Sequence, residues 1–204
     1  MVQTRNLRYQ FSAASQIVFP DIRVEAGHSL LIYGQAGSGK TTLLHLLAGL
    51  RRPASGQVTV DNQQIFDLSA PQIDQFRGQY IGLVHQQTYF VEALTVWDNL
   101  LLSPYATGAS KVYVVAERLN IKDLLNQYPS QLNAEQKQQV SIARSVMCTP
   151  KLILADEPTN SLENRSCSYV IDLLLEEAIV NDAALVIMTS DKRLKSEINN
   201  HILL

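Results

Sequence analysis

The order of sequence patterns predicts an α/β fold: a mostly parallel sheet, an N-terminal antiparallel β part and an inserted α-helical segment. Three observations carry this. The short apolar runs SLLIY (29–33), YIGLVHQ (80–86), KLILAD (151–156) and ALVIMTS (184–190) read as buried strands and alternate with helical patterns, the order that places parallel strands under helices on both faces. Residues 2–11 and 17–24 alternate as early strands pairing antiparallel. From about residue 92 to residue 148 the patterns are helical, with no strong strand among them.

Taken in order, SLLIY leads into a glycine-rich turn, and a helical pattern runs from Gly39 to Leu50, ending before Arg51, Arg52 and Pro53. QVTVDNQQIFDL is a strand pair or a strand and loop. A helix starts near Ser69 with Pro71 in its first turn, where the missing N–H costs nothing. TVWDNLLLSPY, KVYVVAERLN and IKDLL are helical. The next helix opens at QLNAEQKQQVSIARSV, with Asn133 as N-cap and Gln136 three residues on, able to reach back in a capping box. Val140, Ala143, Val146 and Met147 then repeat at helical spacing. Residues 165–181 form a further helix, LKSEI a short one, and His201 lies in a terminal strand.

The 204 residues suit one domain, with a core built from residues 1–91 and 149–204 and a helical subdomain at 92–148. A hydrophobic share of 46% and a charged share of 18% are those of an ordinary globular protein. A net charge of -2 provides no basic field to recruit nucleic acid. Cys148 and Cys167 lack metal-ligand spacing and read as incidental thiols in a reducing compartment. No apolar run approaches membrane-spanning length, so the chain is expected to be soluble and cytoplasmic, with any membrane association coming through a partner.

GQAGSGKTT, residues 34–42, matches the phosphate-loop pattern G-x-x-x-x-G-K-[ST]. Gly34, Gln35, Ala36, Gly37, Ser38 and Gly39 form the loop; its glycines let the backbone curl so that successive N–H groups face phosphate oxygens. The helix that follows adds its positive dipole end. Lys40 can reach the β- and γ-phosphates, Thr41 can offer its hydroxyl to Mg²⁺, and Thr42 can support the α-phosphate side. The four fixed positions would arise by chance in about one such chain in 100; here the motif also follows a strand and opens a helix. At the end of KLILAD, Asp156 can hold Mg²⁺ and Glu157 is placed to polarise a water.

These residues together resemble the ATP-binding-cassette (ABC) ATPase family, over the whole chain. The order is the family's: phosphate loop, Gln86 at the end of YIGLVHQ, a helical subdomain, PSQLNAEQKQQVSIARSV, then LILADEPTNSLE. The resemblance implies a RecA-like phosphate-loop NTPase core, ATP and Mg²⁺ as cofactors, and a homodimer or a heterodimer with another cassette. It further implies a membrane permease as partner and a place on the cytoplasmic face of the inner membrane. Phe11, or alternatively Tyr9, would stack on adenine. Gln86 would contact Mg²⁺ and the attacking water, Asp156 would bind the metal with Thr41, and Glu157 would act as catalytic base. Within the family, LLHLLAGLRRPASGQVTV, FRGQYIGLVHQ and LTVWDNLLLSPYATG look like the small cassettes of lipoprotein-release, macrolide-export and cell-division transporters.

Three departures from the family's pattern bear on turnover. The signature L-S-G-G-Q reads Leu132-Asn133-Ala134-Glu135-Gln136 here. In the family two subunits meet head to tail, and each signature points its amides at the other's γ-phosphate; Asn133 and Gln136 are the matching binding residues, and Glu135 brings a negative charge among them. Ser190 stands where the family has a phosphate-touching histidine and can donate a single hydrogen bond. The family's S-A-L-D loop ends Asn160-Ser161-Leu162-Glu163. Two functions are consistent with these residues: an ATP-hydrolysing transporter subunit, or a weakly hydrolysing regulatory subunit paired with an intact cassette. The lack of heptads and basic patches argues against a chromosome-structure or DNA-repair ATPase.

Overall fold

Two sheets divide the strands. The computed structural model describes residues 1–12 and 15–204. The first sheet is antiparallel and contains β1 (Val2–Ser12), β2 (Ser15–Val18), β3 (Arg23–Val24), β5 (Ser55–Val60) and β6 (Gln63–Gln64). The stretch expected as one strand over 17–24 is two, because Phe19 and Pro20 interrupt it: proline has no N–H for the ladder. QVTVDNQQIFDL resolves as a strand pair, turned by Asp61 and Asn62, both at positive φ as a tight hairpin of twisted strands requires.

The second sheet is parallel throughout, in the order β10 (His201–Leu203), β4 (Ser29–Tyr33), β9 (Ala184–Thr189), β8 (Leu152–Asp156), β7 (Ile81–Val84). Every residue of β8 and β9 is buried, as continuous apolar runs in a twice-covered sheet should be. One face carries the cluster around α1 (Lys40–Leu47) and α2 (Ala70–Tyr80); the other carries α3 (Val96–Leu100), α4 (Ala109–Arg118), α5 (Ala134–Ser145) and α6 (Asn164–Val180). Leu43, Leu44, Leu46 and Leu47 are all fully buried on α1. At about 1.5–3 kcal/mol for each such side chain, they anchor the helix that follows the phosphate loop.

The expected helical turns IKDLL and LKSEI are single 3₁₀ turns at Lys122–Leu124 and Lys192–Lys195, too short to build an α-helical ladder. Helix α5 is held close to the sheet at Gly82. A Cβ there would sit 2.3 Å from the Ser145 carbonyl oxygen, so no other residue fits without moving helix or strand.

Candidate nucleotide site

The functional candidates gather at the carboxyl ends of the parallel strands, where open α/β sheets place their ligands. Residues 34–39 follow β4, Gln86 follows β7, Glu157 follows β8 and Ser190 follows β9. Phe11, Ala36, Gly37, Gly39, Lys40, Thr41, Thr42, Gln86, Asp156 and Glu157 line one cleft of about 350 Å³. Strands and a loop more than 100 residues apart in sequence thereby share one surface.

Gly39 caps α1 in the left-handed region at φ 99°, and a Cβ on it would meet the Ile17 side chain at 2.5 Å. Glycine alone meets both demands. Lys40 is buried, and its ammonium donates to the carbonyls of Gly34 (2.8 Å) and Gln35 (3.0 Å) while lying 3.3 Å from the Glu157 carboxylate. The Thr41 hydroxyl donates to Asp156 Oδ2 at 2.7 Å. The other carboxylate oxygen, Oδ1, is buried and has no hydrogen-bond partner among the described residues. Burial pushes the Asp156 carboxyl above the usual carboxylate range; the Thr41 hydrogen bond opposes this and the neighbouring Glu157 charge adds to it. A buried carboxylate with one free oxygen and a hydroxyl beside it has the hard oxygen donors that Mg²⁺ takes.

Glu157 sits at φ 49°, a costly conformation for a residue with a side chain, and its N–H donates to the Met188 carbonyl at 2.8 Å. This turn brings its carboxylate back under β9. There it accepts from Thr189 Oγ1 (2.7 Å), from the Ser190 N–H (2.9 and 3.1 Å) and from Ser190 Oγ (3.2 Å).

The chain matches the ABC transporter family over residues 20–160. It belongs to the ABC transporter family. The lipoprotein-releasing system ATP-binding protein LolD of Legionella pneumophila (strain Lens) is 35% identical over 190 residues, covering 90% of this chain and 84% of that protein. The LolD of Treponema denticola is 31% identical over 206 residues, covering 96% and 91%. Among solved structures, the dimeric ATP-binding cassette MJ0796 in a post-hydrolysis state with ADP and Pi superposes with a TM-score of 0.89 at 26% identity, over 100% of this chain and 94% of that one.

Of the two aromatics in this ABC cassette that sequence left open, Phe11 lines the cleft and is half exposed. Tyr9 is partly buried against the core, edge-on to Phe11 at 4.9 Å between ring centroids, and its hydroxyl accepts from Arg51 at 2.8 Å. Ser190 lies outside the cleft lining and directs its hydroxyl at Glu157. Asn133 and Gln136 are not part of that cleft either. They cap their own helix reciprocally: Asn133 Oδ1 accepts from the Gln136 N–H (2.8 Å) and Gln136 Oε1 from the Asn133 N–H (3.0 Å). A second depression, lined by Gln86, Ala134, Lys137, Gln138 and Ser161 among others, runs from the cleft to this helix start, and Gln86 borders both.

Among the described residues no histidine lines the cleft. His45 and His85 lie 6.5 Å apart, ring centroid to centroid, outside the cleft lining. Burial lowers both from the usual histidine value, with Arg51 adding to the effect at His45 and His45 adding to it at His85. Sequence reasoning missed Thr189, Asp191 and Arg193 around Glu157; the polar run TSDKR closing an apolar strand was the available signal.

Proposed function

We propose that this chain is the ATP-hydrolysing subunit of a transporter of the lipoprotein-release type, working as a dimer on the cytoplasmic face of a membrane beside its permease. The family and the LolD relatives support this. The observation that carries the site is the convergence of Lys40, Thr41, Gln86, Asp156 and Glu157 on one cleft.

In this reading Phe11 receives the adenine, and the loop of Gly34, Gln35, Ala36, Gly37, Ser38 and Gly39, with Thr42, cradles the phosphates. Lys40 turns its ammonium from the Gly34 and Gln35 carbonyls to the terminal phosphates. Thr41, Asp156 and Gln86 would hold Mg²⁺, which supplies neutralising charge when bound. Glu157 orients a water and takes its proton, and Ser190 steadies Glu157. Asn133 and Gln136 act across the dimer, presenting the start of α5 to a second subunit's nucleotide. Residues 92–148 serve as the helical subdomain and residues 1–91 with 149–204 as the core.

Isothermal titration of the purified chain tests this. Binding of ATP with Mg²⁺ is expected for the unmodified protein. Lys40→Ala should abolish it, and Asp156→Asn should leave ATP binding that no longer responds to Mg²⁺. Unchanged affinity in Lys40→Ala sinks the site.

A further inference from the structure

Glu157 is steadied by a network that begins far outside the cleft. The Thr189 hydroxyl that donates to Glu157 Oε2 also accepts from the Asp191 N–H at 2.9 Å, and Thr189 is fully buried. The Asp191 carboxylate accepts from Thr159 Oγ1 at 2.7 Å and from Arg193 through Nε (3.0 Å) and Nη2 (2.7 Å). Arg193 then reaches across to the loop after the acids: Nη2 to the Thr159 carbonyl (3.0 Å), Nη1 to the Leu162 carbonyl (3.3 Å) and to Asn164 Oδ1 (2.9 Å). Every N–H of the guanidinium thus has an acceptor. A lysine, with a single nitrogen, spans no such set.

We infer that Arg193 is a positioning residue for Glu157. It pins the loop of residues 159–164 to Asp191, and Asp191 acts on the carboxylate through the Thr189 hydroxyl. The inference rests on Glu157 being the base. The geometry also explains how a chain with Ser190 keeps Glu157 in place. Thr189 and Ser190 supply three donors to its carboxylate, and Arg193 fixes the backbone that carries them. Movement of the 159–164 loop is transmitted through the same bonds.

The test measures ATP turnover and ATP affinity of the full chain with Mg²⁺ for Arg193→Gln, Arg193→Lys, Thr189→Val and the Arg193→Gln/Thr189→Val double variant. Misplacing a reacting group by a fraction of its contact distance costs up to about 100-fold. Arg193→Gln should therefore lose about 10- to 100-fold in kcat, with ATP affinity held within about twofold. Arg193→Lys should fall between the two. Thr189→Val should match Arg193→Gln, and the double variant should be no worse than either, because both cut one chain of contacts. Unchanged kcat in Arg193→Gln overturns the inference. So does a loss that tracks weaker ATP binding and a lower Tm, or losses that multiply in the double variant. If Arg193→Gln does not fold, Thr189→Val decides, and an unchanged kcat there is equally fatal. Glu157→Gln is the control on the site itself: full turnover in that variant removes Glu157 as base, whatever Arg193 does.

Discussion

Charge at the cleft is decided by single residues a few ångströms apart. Lys40 faces two buried carboxylates, is paired with Glu157 at 3.3 Å, and spends its hydrogen bonds on its own loop. Asp191 shows the opposite balance to Asp156. Burial alone would raise its carboxyl, but the hydrogen bonds from Arg193 and Thr159 outweigh that and hold it below the usual carboxylate value. A carboxyl with a depressed folded-state pKa stabilises the fold above its unfolded value and loses that contribution as pH falls through the folded one. Asp191→Asn should therefore lower stability at neutral pH by about 1–2 kcal/mol, discounted because Arg193 is partly exposed. The difference from the unmodified protein should shrink once pH falls below the ordinary carboxylate value of 3.8. Thermal melts across an acid pH series give both numbers.

The element that departs most from its family is the start of α5. Its capping box is complete, so the helix begins well. Those same bonds occupy the Gln136 N–H and the Asn133 side chain, groups that a phosphate from a second subunit would want. Glu135 adds a carboxylate to that first turn and is partly exposed. Two unit charges about 5 Å apart repel by about 3 kcal/mol at an effective dielectric near 20. Solvent around Glu135 reduces this to the order of 1 kcal/mol. Glu135→Gln keeps the shape and removes the charge. ATP-dependent dimerisation, followed by sedimentation, should tighten by about fivefold; no change means Glu135 stands clear of the second nucleotide. The helix start was legible in the sequence because capping is local: Asn133 and Gln136 are three residues apart. Its distance from its own chain's cleft was not, because that depends on how α5 packs against β7 through Gly82.

Across the whole molecule, the helical segment is bound to the parallel sheet by one continuous hydrophobic cluster and by a few polar ties. Gln138 on α5 donates to the Pro158 carbonyl at 3.2 Å, joining that helix directly to the loop after the acids. Lys111 on α4 donates to Glu177 on α6 at 2.6 Å, and Asn181 donates to the same carboxylate at 2.8 Å. Glu177 is 7% exposed. Removing one member of such a pair strands the other in a poor solvent. Lys111→Met should cost about 2 kcal/mol, less than for a fully dry pair because Lys111 reaches water. That corresponds to a fall in Tm of about 4–8 °C for a chain of this size. The Lys111→Met/Glu177→Leu double variant should recover most of it. Equal Tm for the single variant and the unmodified chain would show that the tie adds nothing.

What the sequence by itself determined is whatever depends on near neighbours and on order along the chain. The phosphate loop, its helix and the strand leading into Asp156 and Glu157 lie within short windows, and the five-part order is read along the chain without knowing any contact. Where it erred, the cause was equally local: Pro20 splits a strand, and two short helical patterns close only as 3₁₀ turns. The tertiary structure alone decided which groups meet. It placed the Phe11 ring in the cleft lining and packed Tyr9 against the core. It turned the Ser190 hydroxyl onto Glu157, and it brought Arg193 to the 159–164 loop across about 30 residues of chain. Those contacts depend on the registers β4–β9 and β8–β9, set by burial of whole strands. A one-residue slip would turn every side chain to the other face and disperse the site, and no short window of sequence contains that constraint.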